Sequence, residues 1–166
     1  MANPDGVFLF IATYPSEPAA QADYDVVKAL HEVDAIGRFD AAVITKDAKG
    51  KVHVNKDETS TRKGAWTGIA AGAVLGLLFP PTIIGSAAVL GAAGGFAGHL
   101  FGGLSRKDVK ELGELIDDGE AALLVIGDIT VSEALEKAEL HAEKEMRKQI
   151  QVDPKELDNE LEKAGA

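Results

Sequence analysis

Short apolar runs and helical apolar stripes alternate along the two ends of this chain. Val7 to Thr13 is a nearly unbroken apolar run with turn residues on either side, Asp5-Gly6 and Pro15-Ser16. That pattern predicts a strand buried on both faces. Ser16 is placed to cap a helix with Glu17 and Pro18 in its first turn. Val26, Val27, Leu30 and Val33 follow at helical spacing, and Gly37 offers a C-terminal stop. Ala41 to Ile44 reads as a second strand. A Lys49-Gly50 turn then leads into the alternating residues Lys51 to Asn55, so a hairpin is expected.

The same grammar returns near the C-terminal end. Ser105 to Asp108 resembles a capping box, followed by Val109, Leu112, Leu115 and Ile116 on one helix side and Asp117-Asp118-Gly119 as a stop. Ala121 to Ile126 repeats the apolar run of the first strand. Thr130 and Glu133 form a second capping box. Val131, Leu135, Ala138 and Ala142 predict an apolar helix stripe, within an acidic helix reaching Glu145. Gln149 to Val152 alternates as a last edge strand, and Pro154 stops it.

The order strand–helix–strand, hairpin strand, helix, strand–helix–strand predicts an α+β fold: a ferredoxin-like (split βαβ) sandwich. A flavodoxin-like domain is the alternative, but the chain has too few βα units for it. The expected parts are residues 1–63 (first half plus hairpin strand), 64–104 (insertion), 105–152 (second half) and 153–166 (acidic tail or short helix).

The insertion changes this picture. Between Lys63 and Arg106 lie 42 residues with no Asp, Glu, Lys or Arg, and they hold 11 of the 18 glycines. Gly64, Gly68, Gly72 and Gly76 recur every four residues. Gly94, Gly98 and Gly102 form a second ladder beside Ala87, Gly91 and Gly95, with Pro80-Pro81 between the two. The spacing predicts a helical hairpin. Glycine in a helix costs roughly 1 kcal/mol relative to alanine. A line of glycines offsets that cost by letting another helix backbone approach closely.

Composition follows from these two unlike parts. A mean hydropathy of +0.01 sits beside 27% charged residues, because a charged domain is averaged with an uncharged insert. The chain has 166 residues and a net charge of −10, which argues against a nucleic-acid partner. Its lack of cysteine excludes disulfides, thiolate metal sites and cysteine nucleophiles. The first residues carry no basic region of a secretory leader, so a cytoplasmic protein is expected, peripheral to or partly inserted in the inner membrane.

The chain resembles a bacterial family called domain of unknown function twelve-sixty-nine, commonly labelled "predicted membrane protein". The resemblance rests on the hairpin strand ending Lys51-Val52-His53-Val54, the ladder Gly64 to Gly76 running into Leu77-Leu78-Phe79, the second Ala/Gly arm, and Leu112-Gly113 and Ile116 leading to Gly119, Ala121-Ala122-Leu123 and Val125. It spans roughly residues 7–150. It implies no activity and no functional residues.

Candidate chemistry is sparse. His31, His53, His99 and His141 fall at no i,i+3 or i,i+4 spacing, so no metal pair is expected. His99, alone in the apolar arm, is the pH-sensitive candidate. Asp117, Asp118 and Asp128 are explained by turn and cap chemistry. No catalytic residue, metal or cofactor is expected.

Helix packing and an oligomer interface are expected from Gly64, Gly68, Gly72, Gly76, Gly91, Gly94, Gly95, Gly98 and Gly102. Membrane or apolar contact is expected from Trp66, Leu77, Leu78, Phe79, Ile83 and Ile84, and headgroup contact from Arg62, Lys63, Arg106 and Lys107. The expected protein is a non-enzymatic homo-oligomer whose glycine-zipper hairpin packs subunits together and associates with the cytoplasmic face of a membrane. Its partners are copies of itself and a lipid membrane. The alternative is a soluble oligomeric ferredoxin-like domain with the hairpin buried in the assembly, binding a small apolar ligand.

Overall fold

A computed structural model describes residues 6–33, 35–37, 39–55, 74–75, 78–79 and 105–150. The nine glycines expected at the oligomer interface lie outside the described residues, as do Arg62, Lys63, Trp66, Leu77, Ile83, Ile84 and His99. The fold is α+β. Among the described residues it has five strands, β1 (Val7–Tyr14), β2 (Phe39–Lys46), β3 (Val52–Asn55), β4 (Ala121–Gly127) and β5 (Lys144–Ile150), and three helices, α1 (Glu17–Glu32), α2 (Arg106–Glu114) and α3 (Ile129–Lys137).

The strands form one antiparallel sheet in the order β3-β2-β4-β1-β5. Strand β4 lies between β1 and β2, with Val125 opposite Phe10 on one side and Ala41 on the other. Strands β1 and β2 are both antiparallel to β4 and so run the same way, joined through α1. The apolar runs of β1 and β4 have a direct cause. Successive side chains point to opposite faces, and both faces are covered.

On one face Phe10, Ala12, Tyr14, Leu123 and Val125 pack against Ala20, Tyr24 and Val27 of α1 and Val131 and Leu135 of α3. On the other, Leu9, Ile11, Ile44, Leu124 and Ile126 pack against Leu112 and Ile116 and against Val74, Leu75, Leu78 and Phe79. The second layer therefore comes in part from the uncharged insert. A hydrogen bond from Phe79 N to Leu75 O, 3.0 Å, has the spacing of an α-helical turn.

Several boundaries differ from the sequence pattern. Helix α3 ends at Lys137, with Ala138 extended at ψ 140, so Ala138 and Ala142 do not continue the expected stripe. Residues 144–150 are strand, not helix, and the edge strand begins earlier than Gln149. The reason is tertiary: β1 has a second edge, and β5 pairs along it from Thr13↔Lys144 to Val7↔Ile150. Met146 packs against one sheet face, as the period of two requires.

The α3 cap is Asp128 rather than Thr130. Its Oδ1 accepts from Thr130 N at 3.0 Å. Thr130 Oγ1 instead donates to Asp128 and accepts from Gly37 N at 2.7 Å. Helix α1 stops at Glu32, before Gly37. Gly37 serves a close approach, since a Cβ there would collide with the Asp128 carboxylate. The β2–β3 hairpin turns as expected: Asp47 Oδ1 accepts from Lys49 N and Lys51 N, both at 2.9 Å, and Gly50 takes φ +83.

Candidate functional site

Two features stand out, an anchored stretch of the uncharged insert and a buried carboxylate. The insert is held by α2. Ser105 Oγ accepts from Asp108 N at 3.1 Å and caps that helix, which turns Leu112 inward. Gly113 lies against the backbone of the insert: a Cβ at this position would sit 2.9 Å from the Leu78 carbonyl oxygen. Leu78 and Phe79 are only 8% and 4% exposed. Their apolar contact is with this chain's own sheet, and they are not on an outer surface offered to lipid. Arg106 and Lys107 are exposed at the start of α2, and Lys107 lies 3.9 Å from Glu111.

Lys148 of β5 ties α2 to the sheet, with Nζ 3.0 Å from Asp108 and 3.1 Å from Glu111. The Lys148 bond, followed by the Ser105 hydroxyl, lowers the Asp108 carboxyl below its ordinary value. The two carboxylates raise Lys148 in turn. Lys144 is pulled down by partial desolvation, but its contacts with Asp117 and Glu120 more than offset this, and its net shift is upward.

The buried carboxylate is Asp23, which is 0% exposed. It occupies the inward stripe of α1 with Ala20, Tyr24 and Val27. Burying a charge is costly unless it is hydrogen-bonded, and Asp23 has three donors. Tyr14 Oη, from the last residue of β1, donates to Oδ2 at 2.6 Å. His141 N, from the α3–β5 connection, donates to the same oxygen at 2.8 Å. His141 Nδ1 lies 3.0 Å from Oδ1. A carboxylate only accepts, so Nδ1 carries the proton in this bond.

Burial first, then the bond to Asp23, pushes the Tyr14 phenol far above its ordinary value, so it remains a neutral donor. The His141 side chain is 76% exposed. Water is not kept from the ring, and an imidazole oriented by a buried acid is here first a tie between β1, α1 and the α3–β5 connection. The sequence reading missed this cluster. The available signal was an acid at the inward position of the stripe Ala20, Asp23, Tyr24, Val27. Nothing in the sequence showed that His141, 118 residues away, would meet it. Among the described residues, no three His, Asp or Glu side chains are grouped to hold a metal ion. No described helix is long and apolar enough to cross a membrane.

Comparison with curated proteins gives no match, and comparison with solved structures gives none either. The sequence pattern of one family, described as "Protein of unknown function (DUF1269)", matches residues 65–163. The matched stretch holds α2, β4, α3 and β5 and leaves β1 to β3 outside, although the resemblance in sequence extended back to the first strand. With more than half of its length matched, this chain belongs to the family DUF1269.

Proposed function

We propose that the protein is a non-enzymatic homo-oligomer: a ferredoxin-like domain carrying a glycine-ladder helical hairpin, through which subunits pack. The strand order, with β4 between two strands joined by a crossover helix, supports the ferredoxin-like reading. The observation that carries the oligomer is the direction of the anchored stretch. Val74, Leu75, Leu78 and Phe79 are all buried against the sheet side. On an ideal helix of about 100° per residue, positions 72 and 76 project roughly 90° and 130° from the centre of those four. In this proposal the ladder faces away from the domain's own sheet and offers its small-residue line to a second helix.

The test is size-exclusion chromatography with light scattering on the full chain. A defined oligomer is expected, and Gly72→Leu with Gly98→Leu should reduce its mass to that of the monomer. A monomeric parent protein, or an oligomer untouched by the double substitution, refutes the proposal.

Association with the cytoplasmic face of a membrane is a second reading. It is favoured by exposed Arg106 and Lys107 directly beyond the uncharged stretch. Leu78 and Phe79 are occupied in the core, so lipid contact rests on Trp66, Leu77, Ile83 and Ile84. Co-flotation with anionic but not neutral vesicles is the expected result, and recovery entirely in the lipid-free fraction excludes it.

A further inference from the structure

The two covers of the sheet are fastened differently. On the α1–α3 side, buried Asp23 accepts from the Tyr14 hydroxyl and from a backbone N–H, and Gly37 N donates to Thr130 of α3. On the other side, among the described residues, every hydrogen bond or ion pair between the sheet and residues 105–116 ends on a lysine ammonium. Lys148 of β5 holds the first half of α2 through Asp108 and Glu111. Lys144 of β5 donates to Leu115 O at 2.9 Å, and Lys46 of β2 donates to Ile116 O at 3.4 Å. These two ammoniums take the carbonyl end of α2, where the helix dipole favours a cation.

Beyond α2, backbone bonding to the sheet begins at Gly119, whose N donates to Lys46 O at 2.7 Å, and continues with Lys46 N to Glu120 O at 2.9 Å. Within α2 itself only Leu112 is buried, and Ile116 follows it. Residues 105–118 are therefore bounded by the uncharged insert on one side and by a backbone-pinned turn on the other. Lysine arms and these two apolar side chains hold what lies between. The side chains of Lys46, Lys144 and Lys148 are 20%, 41% and 25% exposed, so salt reaches the ties. The screening length falls from about 10 Å at 0.1 M salt to about 3 Å at 1 M, which is near the contact distance.

We infer that α2 is an ionic strap over the anchored insert: residues 105–118 open as one unit while the sheet stays folded, and the three lysines set how often. Few buried apolar contacts and solvent-exposed polar ties mark a segment that opens locally. In the closed state Gly113 lies against the Leu78 carbonyl. Opening bares that side of Leu78 and Phe79 and leaves their contact with the sheet in place. Val74 and Leu75 also stay on the sheet, so most of this apolar cover is not lifted with α2. The strap thus controls access to the anchored insert from one side, and ionic strength tunes it. The inference rests on contacts within the described domain and not on assembly through the glycine ladder.

The experiment is amide hydrogen exchange of the full chain, read residue by residue, at about 0.05 M and about 1 M NaCl, with light scattering on the same samples. The amides of Val109 to Ile116 are expected to exchange at least about tenfold faster than those of β4. At high salt they should accelerate about fivefold or more, while α1 and β4 do not. In Lys144→Met with Lys148→Met, the α2 amides should exchange about tenfold faster than in the parent at low salt, and most of the salt response should be gone. The salt response of the parent chain is a readout that does not depend on how the variant folds. Exchange of α2 in one step with β4, acceleration shared by α1, or a full salt response in a folded variant overturns the inference. Acceleration that follows a change in mass overturns it too, because the opening is then that of an assembly and not of this strap.

Discussion

Removing the Asp23 carboxylate tests whether one buried acid holds three parts of the fold together. In Asp23→Ala, Tyr14 Oη and His141 N both lose their acceptor. The phenol is fully buried, and an unsatisfied buried donor costs about 1–3 kcal/mol. The partly buried His141 N–H adds less, and relief of the desolvated charge returns some of the cost. A net loss of about 3 kcal/mol is expected, or a Tm lower by about 6–12 °C for a chain of this size.

Tyr14→Phe removes one donor and leaves Asp23 two, at about 1 kcal/mol. The double substitution should cost clearly less than the sum, because the phenol that Asp23→Ala strands is then gone. A coupling of about 1.5 kcal/mol is expected. Asp23→Asn is milder: its amide oxygen can accept from both donors at Oδ2, while its amide N–H meets His141 Nδ1 in the other tautomer. The assay is urea unfolding by far-ultraviolet circular dichroism at fixed protein concentration. Coupling below about 0.5 kcal/mol, or Asn as damaging as Ala, refutes the shared-acceptor account.

Gly113→Ala pits helix propensity against packing. Alanine gains about 1 kcal/mol in a helix, but its Cβ would press on a backbone carbonyl 2.9 Å away, and overpacking costs about 1–3 kcal/mol. A net loss of about 1 kcal/mol in urea unfolding is expected, and a stabilised variant would show that Leu78 does not approach so closely. The Asp108–Lys148 contact predicts a pH profile with two flanks. Asp108 is lowered from 3.8, so its contribution is present above that value and is lost as pH falls through the depressed folded value. Lys148 is raised from 10.5, so the same contact is intact below that pH and is lost as pH rises through the elevated folded value. Thermal melts across pH should show Lys148→Met flattening both flanks, and an unchanged acid flank would remove the contact from the account.

Periodicity carried most of the elements. Continuous apolar runs located β1 and β4, because strands buried on both faces have no polar phase to show. The hairpin at Asp47 to Lys51 was legible because local turn chemistry decides it. The Ser105 cap was legible for the same reason, since its partner Asp108 N is three residues away. The family, too, was readable from the glycine ladder and the residues after it.

What the sequence could not decide lay in pairings across distance. Residues 138–145 have enough helical pattern to extend α3, but the open edge of β1 takes residues 144–150 as strand, since the pairing satisfies a row of backbone groups that no local preference can see. Asp23 looked like an ordinary polar helix position until Tyr14 and His141 were brought to it from nine and 118 residues away. Leu78 and Phe79 looked like material for a membrane or another subunit. The tertiary structure spends them on the second face of the sheet, because a sheet with two apolar faces needs two covers and the helices of the α1–α3 layer supply only one. Sequence alone thus determined which segments are strand-like, helix-like or uncharged, and only the assembled sheet decided which of them must meet.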